Sequence, residues 1–183
     1  IDALAQVKLV FLPLISHIGM MRNWRANGNG VDLMRNAPID AEANVPWLVG
    51  GHRISPILPW YRGPEGGPME KESSALVSTI KKELFPAPFS IVVDCHSGFG
   101  FQDRIWFPYA YSKDKRMQHM AEIYRLREMF FSTYPHQNYL FEPQSRHYTT
   151  HGDLWDYMYT AALAEGKTFL PLTLEMGSWM WVK

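Results

Sequence analysis

Apolar positions along this chain fall into two patterns. Residues 7–15 (Val-Lys-Leu-Val-Phe-Leu-Pro-Leu-Ile), 90–93 (Ser-Ile-Val-Val) and 168–176 (Thr-Phe-Leu-Pro-Leu-Thr-Leu-Glu-Met) are short, nearly continuous apolar runs. Runs of this kind predict buried strands, the first ending at Pro13. Elsewhere the apolar residues recur at helical spacing. Met69, Leu76, Val77, Ile80 and Leu84 predict a helix over residues 70–84, with Pro68 near its start, Glu70 and Glu72 in its first turn, and Pro86 and Pro88 stopping it. Met117, Met120, Ala121, Tyr124 and Phe131 predict one buried face of a helix over residues 114–133. A third helix is predicted over residues 152–164, closed by Gly166. Residues 1–6 read as the tail of a helix, and residues 104–110 and 138–142 as brief strands. Strands that alternate with helices predict an α/β class with a largely parallel or mixed sheet.

Residues 16–68 break both patterns. They are rich in Gly, Asn and Pro, and they carry Trp24, Trp47 and Trp60. Irregular stretches this long in a compact domain tend to be functional. Arg25 and Arg35 lie in this stretch, with Asn and Gly between them. An arginine fork suits carboxylate or phosphate, and equally it can brace a loop.

Composition narrows the classes. A length of 183 residues, 46% hydrophobic and 20% charged, predicts one globular domain with a real core. Eighteen basic and eighteen acidic residues cancel, which argues against a nucleic-acid or anionic-membrane partner recruited by bulk charge. Cys95 is the sole cysteine, so an internal disulfide framework is excluded. No apolar run reaches the roughly 18 residues that span a membrane. The chain opens on Ile and closes on Trp-Val-Lys, so residues are expected to be missing at both ends; compartment and oligomeric state carry no signal here.

Chemistry concentrates where strands end. The run 90–93 leads into Asp94, Cys95, His96 and Ser97, then glycines at 98 and 100, and the run 168–174 leads into Glu175. In open α/β sheets the crevice beyond the carboxyl ends of the strands is where ligands bind. A histidine there is placed to bind a metal, or it is merely hydrogen-bonded at a strand end. A carboxylate on so apolar a strand is costly to bury, unless it lies just past the strand end in water. Together, His96 and Glu175 supply the parts of metal-assisted hydrolysis. Cys95 should alternate away from His96 and be buried and inert, and no histidine base for a thiol protease is in evidence.

The order of these groups resembles the zinc carboxypeptidases, the M14 metallopeptidases. Trp24-Arg25, Gly30-Val31-Asp32-Leu33-Met34-Arg35-Asn36, Tyr61-Arg62-Gly63 before Glu70 and Glu72, His96-Ser97, Tyr148 eight residues before Asp156, and Thr173-Leu174-Glu175 match that family's motifs in order, across residues 7–177. The resemblance implies a three-layer α/β/α fold with a mixed, largely parallel central sheet, and a Zn²⁺ cofactor. It implies His96 as one zinc ligand, Glu175 as the general base, and Arg25 as the oxyanion partner. Arg35 would hold the substrate's terminal carboxylate, Tyr148 would close over the substrate, and Asp32 would orient a ligand histidine from behind. The implied reaction is removal of a C-terminal residue from a peptide.

The chain also departs from the family. The His-x-x-Glu motif that supplies the other two zinc ligands is absent, and those ligands are expected upstream of Ile1. His119-Met120-Ala121-Glu122 is not its replacement, since the predicted face of that helix turns His119 and Glu122 to solvent. Met34 stands where the family has an Asn beside the carboxylate-binding Arg, and Trp155 falls near the specificity pocket. Asp94-Cys95-His96-Ser97-Gly98 also resembles the family's aspartoacylase-like deacylase branch. An amide deacylase on acyl-amino acids or cell-wall peptides is therefore a second expectation, and an inactive, binding-only relative a third. His17, His52, His136 and His147 read as structural or solvated, and His151 as near the pocket.

Overall fold

A computed structural model describes residues 3–177. Ile1, Asp2 and the Trp-Val-Lys end fall outside the described residues, so the helix predicted over residues 1–6 is seen only as a 3-10 turn over Ala3–Gln6. The elements are α1 (His17–Arg22), α2 (Lys71–Glu83), β1 (Phe89–Ser97), β2 (Arg104–Phe107), α3 (Met120–Thr133), β3 (Leu140–Pro143), α4 (Leu154–Ala164) and β4 (Thr168–Met176). The four strands form one sheet in the order β1-β4-β2-β3. β1 and β4 run parallel, as do β2 and β3, and the β2–β4 pair is antiparallel. The class is α/β with a mixed, mostly parallel sheet, as its alternating pattern predicts.

β4 is central. Phe169, Leu170, Pro171 and Leu172 are consecutive and all buried, so both faces of this strand are covered and the sheet lies between layers. Phe169, Met158, Tyr159 and Ala162 have no exposed surface and join Ile80 from α2 and Ile123 from α3 in one core cluster. α4 starts where Asp153 accepts hydrogen bonds from the N–H groups of Trp155 and Asp156, and the chain leaves it through Gly166 at φ +67°. Among the described residues no helix is long and apolar enough to cross a membrane.

Four expectations need correction. Residues 7–15 form no strand, and Val7 to Leu14 are exposed, with Lys8 paired to Glu83 at 2.5 Å. An apolar run becomes a strand only beside a partner strand, and none of the described strands lies against it. β1 is longer than predicted, so Asp94, Cys95 and His96 lie within it. It is also an edge strand that alternates exposed with half-buried, and Cys95, which does point away from His96, is exposed rather than buried. α3 begins at Met120, and Ile123 is its buried residue, whereas Tyr124 is 58% exposed. That shift in face turns His119 inward, its Nδ1 3.0 Å from the Tyr159 hydroxyl, a structural contact at the start of α3.

Candidate active site

Parallel pairing of β1 with β4 sets His96 directly beside Glu175, two strands delivering their side chains to one end of the sheet. Residues at paired positions share a face, and the Nδ1 of His96 lies 3.8 Å from Oε1 of Glu175. Both open onto a cleft of about 500 Å³ that is also lined by Arg25, Arg35, Tyr148 and Trp60. The cleft therefore gathers His96, Glu175, Arg25, Arg35 and Tyr148, five side chains singled out from five separate places in the sequence.

The irregular stretch before α2 brings in the arginines. Arg25 donates its Nε to Asp32 at 2.7 Å and lies over the Trp60 ring at 5.6 Å. Asp32 is buried; its second oxygen accepts the N–H of Met34 and starts the 3-10 turn Leu33–Arg35. Asp32 thus braces Arg25 and its own loop, and no histidine is among its hydrogen-bond partners within the described residues. Arg35 is only 3% exposed, and its guanidinium donates to the carbonyls of Val49 and Met34. No carboxylate lies within ion-pair distance of Arg35 among the described residues, although Asp153 and Glu175 line the same cleft and feel its charge at longer range. Met34 also lines the cleft.

The loop before α4 is clamped against that stretch. The Gly152 N–H donates to Ile39 at 2.7 Å, Ala37 donates to Gly152 at 3.0 Å, and His151 donates to Gly50 at 2.8 Å. Gly152 adopts φ +67°, and a Cβ there would collide with the Arg35 carbonyl. Glycine at this position lets the Tyr148 loop approach Arg35. Asp156 ties α4 to the chain after β2, accepting the N–H groups of Ala110 and Tyr111 at 2.7 and 2.8 Å. His151 accepts the N–H of Ala41, and burial holds its ring below the ordinary histidine value.

Electrostatics separate the groups. Burial raises the carboxyl of Glu175 above the ordinary glutamate value, against the opposing pull of His96 and Arg25. Burial would lower His96, but its hydrogen bond and charge contact with Asp94 outweigh this and raise it. Burial would likewise lower Arg25, and Asp32 more than restores it, so Arg25 stays charged. Burial raises the Tyr148 phenol, which stays neutral at ordinary pH.

Two groups escaped the sequence reading as partners. Asp94 Oδ2 lies 2.8 Å from Nε2 of His96 and accepts Nε1–H of Trp155 at 2.9 Å. Trp155 comes from α4, 61 residues along the chain, a distance that spacing rules do not span. Glu142 is the other, a buried carboxylate that gathers Arg104, His147 and Trp106 beside the cleft.

Among solved structures, thrombin-activatable fibrinolysis inhibitor is similar to this chain at 21% identity and a TM-score of 0.56, over 79% of this chain and 33% of that protein. Bovine thrombin-activatable fibrinolysis inhibitor, in a complex with tick carboxypeptidase inhibitor, is similar at 20% identity and a TM-score of 0.55, over 79% of this chain and 45% of that one. This chain thus spans less than half the length of either neighbour. No family model matches it, and no curated protein does. At such identities the likeness concerns the fold alone, and on that ground the chain has a carboxypeptidase-like α/β fold.

Proposed function

We propose that this protein is a hydrolase of the metallocarboxypeptidase type that removes the C-terminal amino acid from a peptide. The observation that carries this reading is Arg35, a buried guanidinium lining the cleft with no carboxylate in ion-pair contact among the described residues. The counter-charges of this buried cation, Asp153 and Glu175, act only at longer range, and a substrate carboxylate entering the cleft would supply a closer one in the bidentate geometry arginine favours. In this reading Arg35 holds the terminal carboxylate and Tyr148 covers it. Glu175 takes a proton from the attacking water, and Arg25 faces the oxygen on which negative charge develops.

The proposed cofactor is Zn²⁺, which when bound polarises a carbonyl and acidifies water. The fit is partial. His96 offers one imidazole, but among the described residues no three His, Cys, Asp or Glu side chains are grouped to hold a metal. The proposal therefore assigns the remaining ligands to residues outside those described.

The test compares peptides with a free C-terminal carboxylate and the same peptides amidated, using the full protein and its Arg35→Ala variant. Truncating one partner of a buried charge pair costs about 2–5 kcal/mol. The expected loss in kcat/KM is thus roughly 30-fold to several thousand-fold on free-carboxylate substrates, with amidated ones unaffected. Equal losses on both would remove the carboxylate clamp and favour an amide deacylase. Met34, which offers Arg35 only its backbone carbonyl, is the feature that keeps this second reading open.

A further inference from the structure

We propose that Asp94 is the positioning residue of His96, fixing its ring so that Nε2 carries the proton and the bare Nδ1 faces the cleft. The inference rests on His96 having the ligand role proposed above, but its geometry stands apart from any metal. Residues 94 and 96 are two apart on β1, so their side chains share a face. Oδ2 of Asp94 takes the indole N–H of Trp155 at 2.9 Å, and an indole N–H only donates, so this oxygen is an acceptor. The same oxygen faces Nε2 of His96 at 2.8 Å, so Nε2 is the donor. In the neutral ring the other nitrogen is then bare.

Nδ1 is uncommitted. Glu175 Oε1 at 3.8 Å is beyond hydrogen-bond length. The opposite tautomer would set a bare nitrogen against a carboxylate and leave Asp94 with a single donor, Trp155. Trp155 makes the choice rigid. Its indole is 6% exposed, packed in the core from α4, and its Nε1–H donates to the same Oδ2. The carboxylate is thus held by one donor on its own strand and one on a helix packed against the sheet, so neither it nor the imidazole turns freely. A ring whose far nitrogen is tied to a carboxylate is the arrangement that orients an imidazole ligand and raises its basicity. Asp94 acts through His96 and needs no contact with substrate.

Two measurements on the full protein test this. With histidine labelled with ¹⁵N, and at a pH where the ring is neutral, NMR should show His96 wholly as the Nε2–H tautomer, with a downfield, slowly exchanging Hε2 proton. Asp94→Ala should lose that proton and populate both tautomers. Asp94→Asn, whose amide oxygen can still accept, should restore most of the Nε2–H form, and Trp155→Phe should fall between. Zinc affinity, from competition with a chelator, should fall roughly 10- to 100-fold in Asp94→Ala, and less in Asp94→Asn. An Nδ1–H tautomer in the wild type overturns the proposal. So does an Asp94→Ala protein that keeps the wild-type tautomer, or one that binds zinc as tightly as wild type. If the wild type binds no zinc, the metalloenzyme reading fails, and the tautomer of wild type and variants still decides the role of Asp94.

Discussion

Glu142 joins the stability of the sheet to the shape of the cleft. It sits on β3 opposite Trp106 of β2 and is 5% exposed. One oxygen accepts from Arg104 at 2.5 Å, from His147 at 2.6 Å and from Trp106 at 3.4 Å; the other lies 3.4 Å from Arg146. His147 immediately precedes Tyr148, and the Phe99 ring, which lines the cleft, packs against Trp106 and His147 at 4.7 and 5.0 Å. Glu142→Gln keeps the shape and removes the charge. Stranding a fully buried partner costs about 3–5 kcal/mol. The side chains of Arg104 and His147 keep 17% and 25% of their surface in water, and the amide oxygen still accepts a bond, so the expected loss is nearer 2–3 kcal/mol. At about 2–4 °C per kcal/mol for a domain of this size, Tm falls by roughly 5–10 °C.

The pH dependence identifies the cause. Burial alone would raise the Glu142 carboxyl, but the hydrogen bonds from His147 and Arg104 prevail and hold it below the ordinary value of 4.5. A carboxyl that is more acidic folded than unfolded stabilises the fold above its unfolded value, and that stability drains away as pH falls through the folded one. The Tm gap between wild type and Glu142→Gln should thus be widest near neutrality and close as pH drops below 4.5. Thermal unfolding followed by circular dichroism across that range measures it. A gap that stays constant with pH would mean that shape rather than charge sets the cost, and would refute the ion-pair argument.

Two further predictions bear on the cleft. Glu175→Gln should cut turnover by roughly 10²–10⁴-fold, the usual worth of a positioned base, with KM nearly unchanged; steady-state kinetics showing undiminished kcat would remove its role. Gly152→Ala places a methyl at φ +67° against the Arg35 carbonyl. It should cost at least about 1 kcal/mol in thermal unfolding and raise KM for free-carboxylate substrates by displacing Arg35; an unchanged KM would mean that the Tyr148 loop and Arg35 are positioned independently.

What was legible in the sequence follows from range. β4 was placed to the residue because its signal is local, an unbroken apolar run, and the same strand carried Glu175 into the sheet's carboxyl end. α4 was legible from its closing glycine, with its start set two residues early. Residues 7–15 carried as strong an apolar signal and form no strand, because a run reports a wish for burial and not which surface meets it. Cys95 failed for a related reason. Alternation fixed its direction, but whether anything covers that face of an edge strand is a tertiary matter. The pairings of Asp94 with Trp155 and of Glu142 with Arg104 join residues 61 and 38 apart, so only the fold could bring them together.

The two arginines, to which the resemblance assigns different roles, also differ in their surroundings. Arg25 spends its Nε on Asp32, and its side chain keeps 42% of its surface exposed. Arg35 is buried, donates to two carbonyls, and has no carboxylate in ion-pair contact among the described residues, with Asp153 and Glu175 acting at longer range. A resting carboxylate gains most beside the cation that has no carboxylate already in contact, which is Arg35. A cation already partly neutralised holds a ground-state anion less strongly, and that suits the proposed work of Arg25. Its partner there is an oxygen whose charge exists only in the transition state, and weak ground-state binding leaves more of the interaction to lower the barrier. The contact of Arg25 with Asp32, and the lack of such a contact at Arg35 among the described residues, thus suit the two roles proposed for them, one facing a passing charge and the other a permanent one.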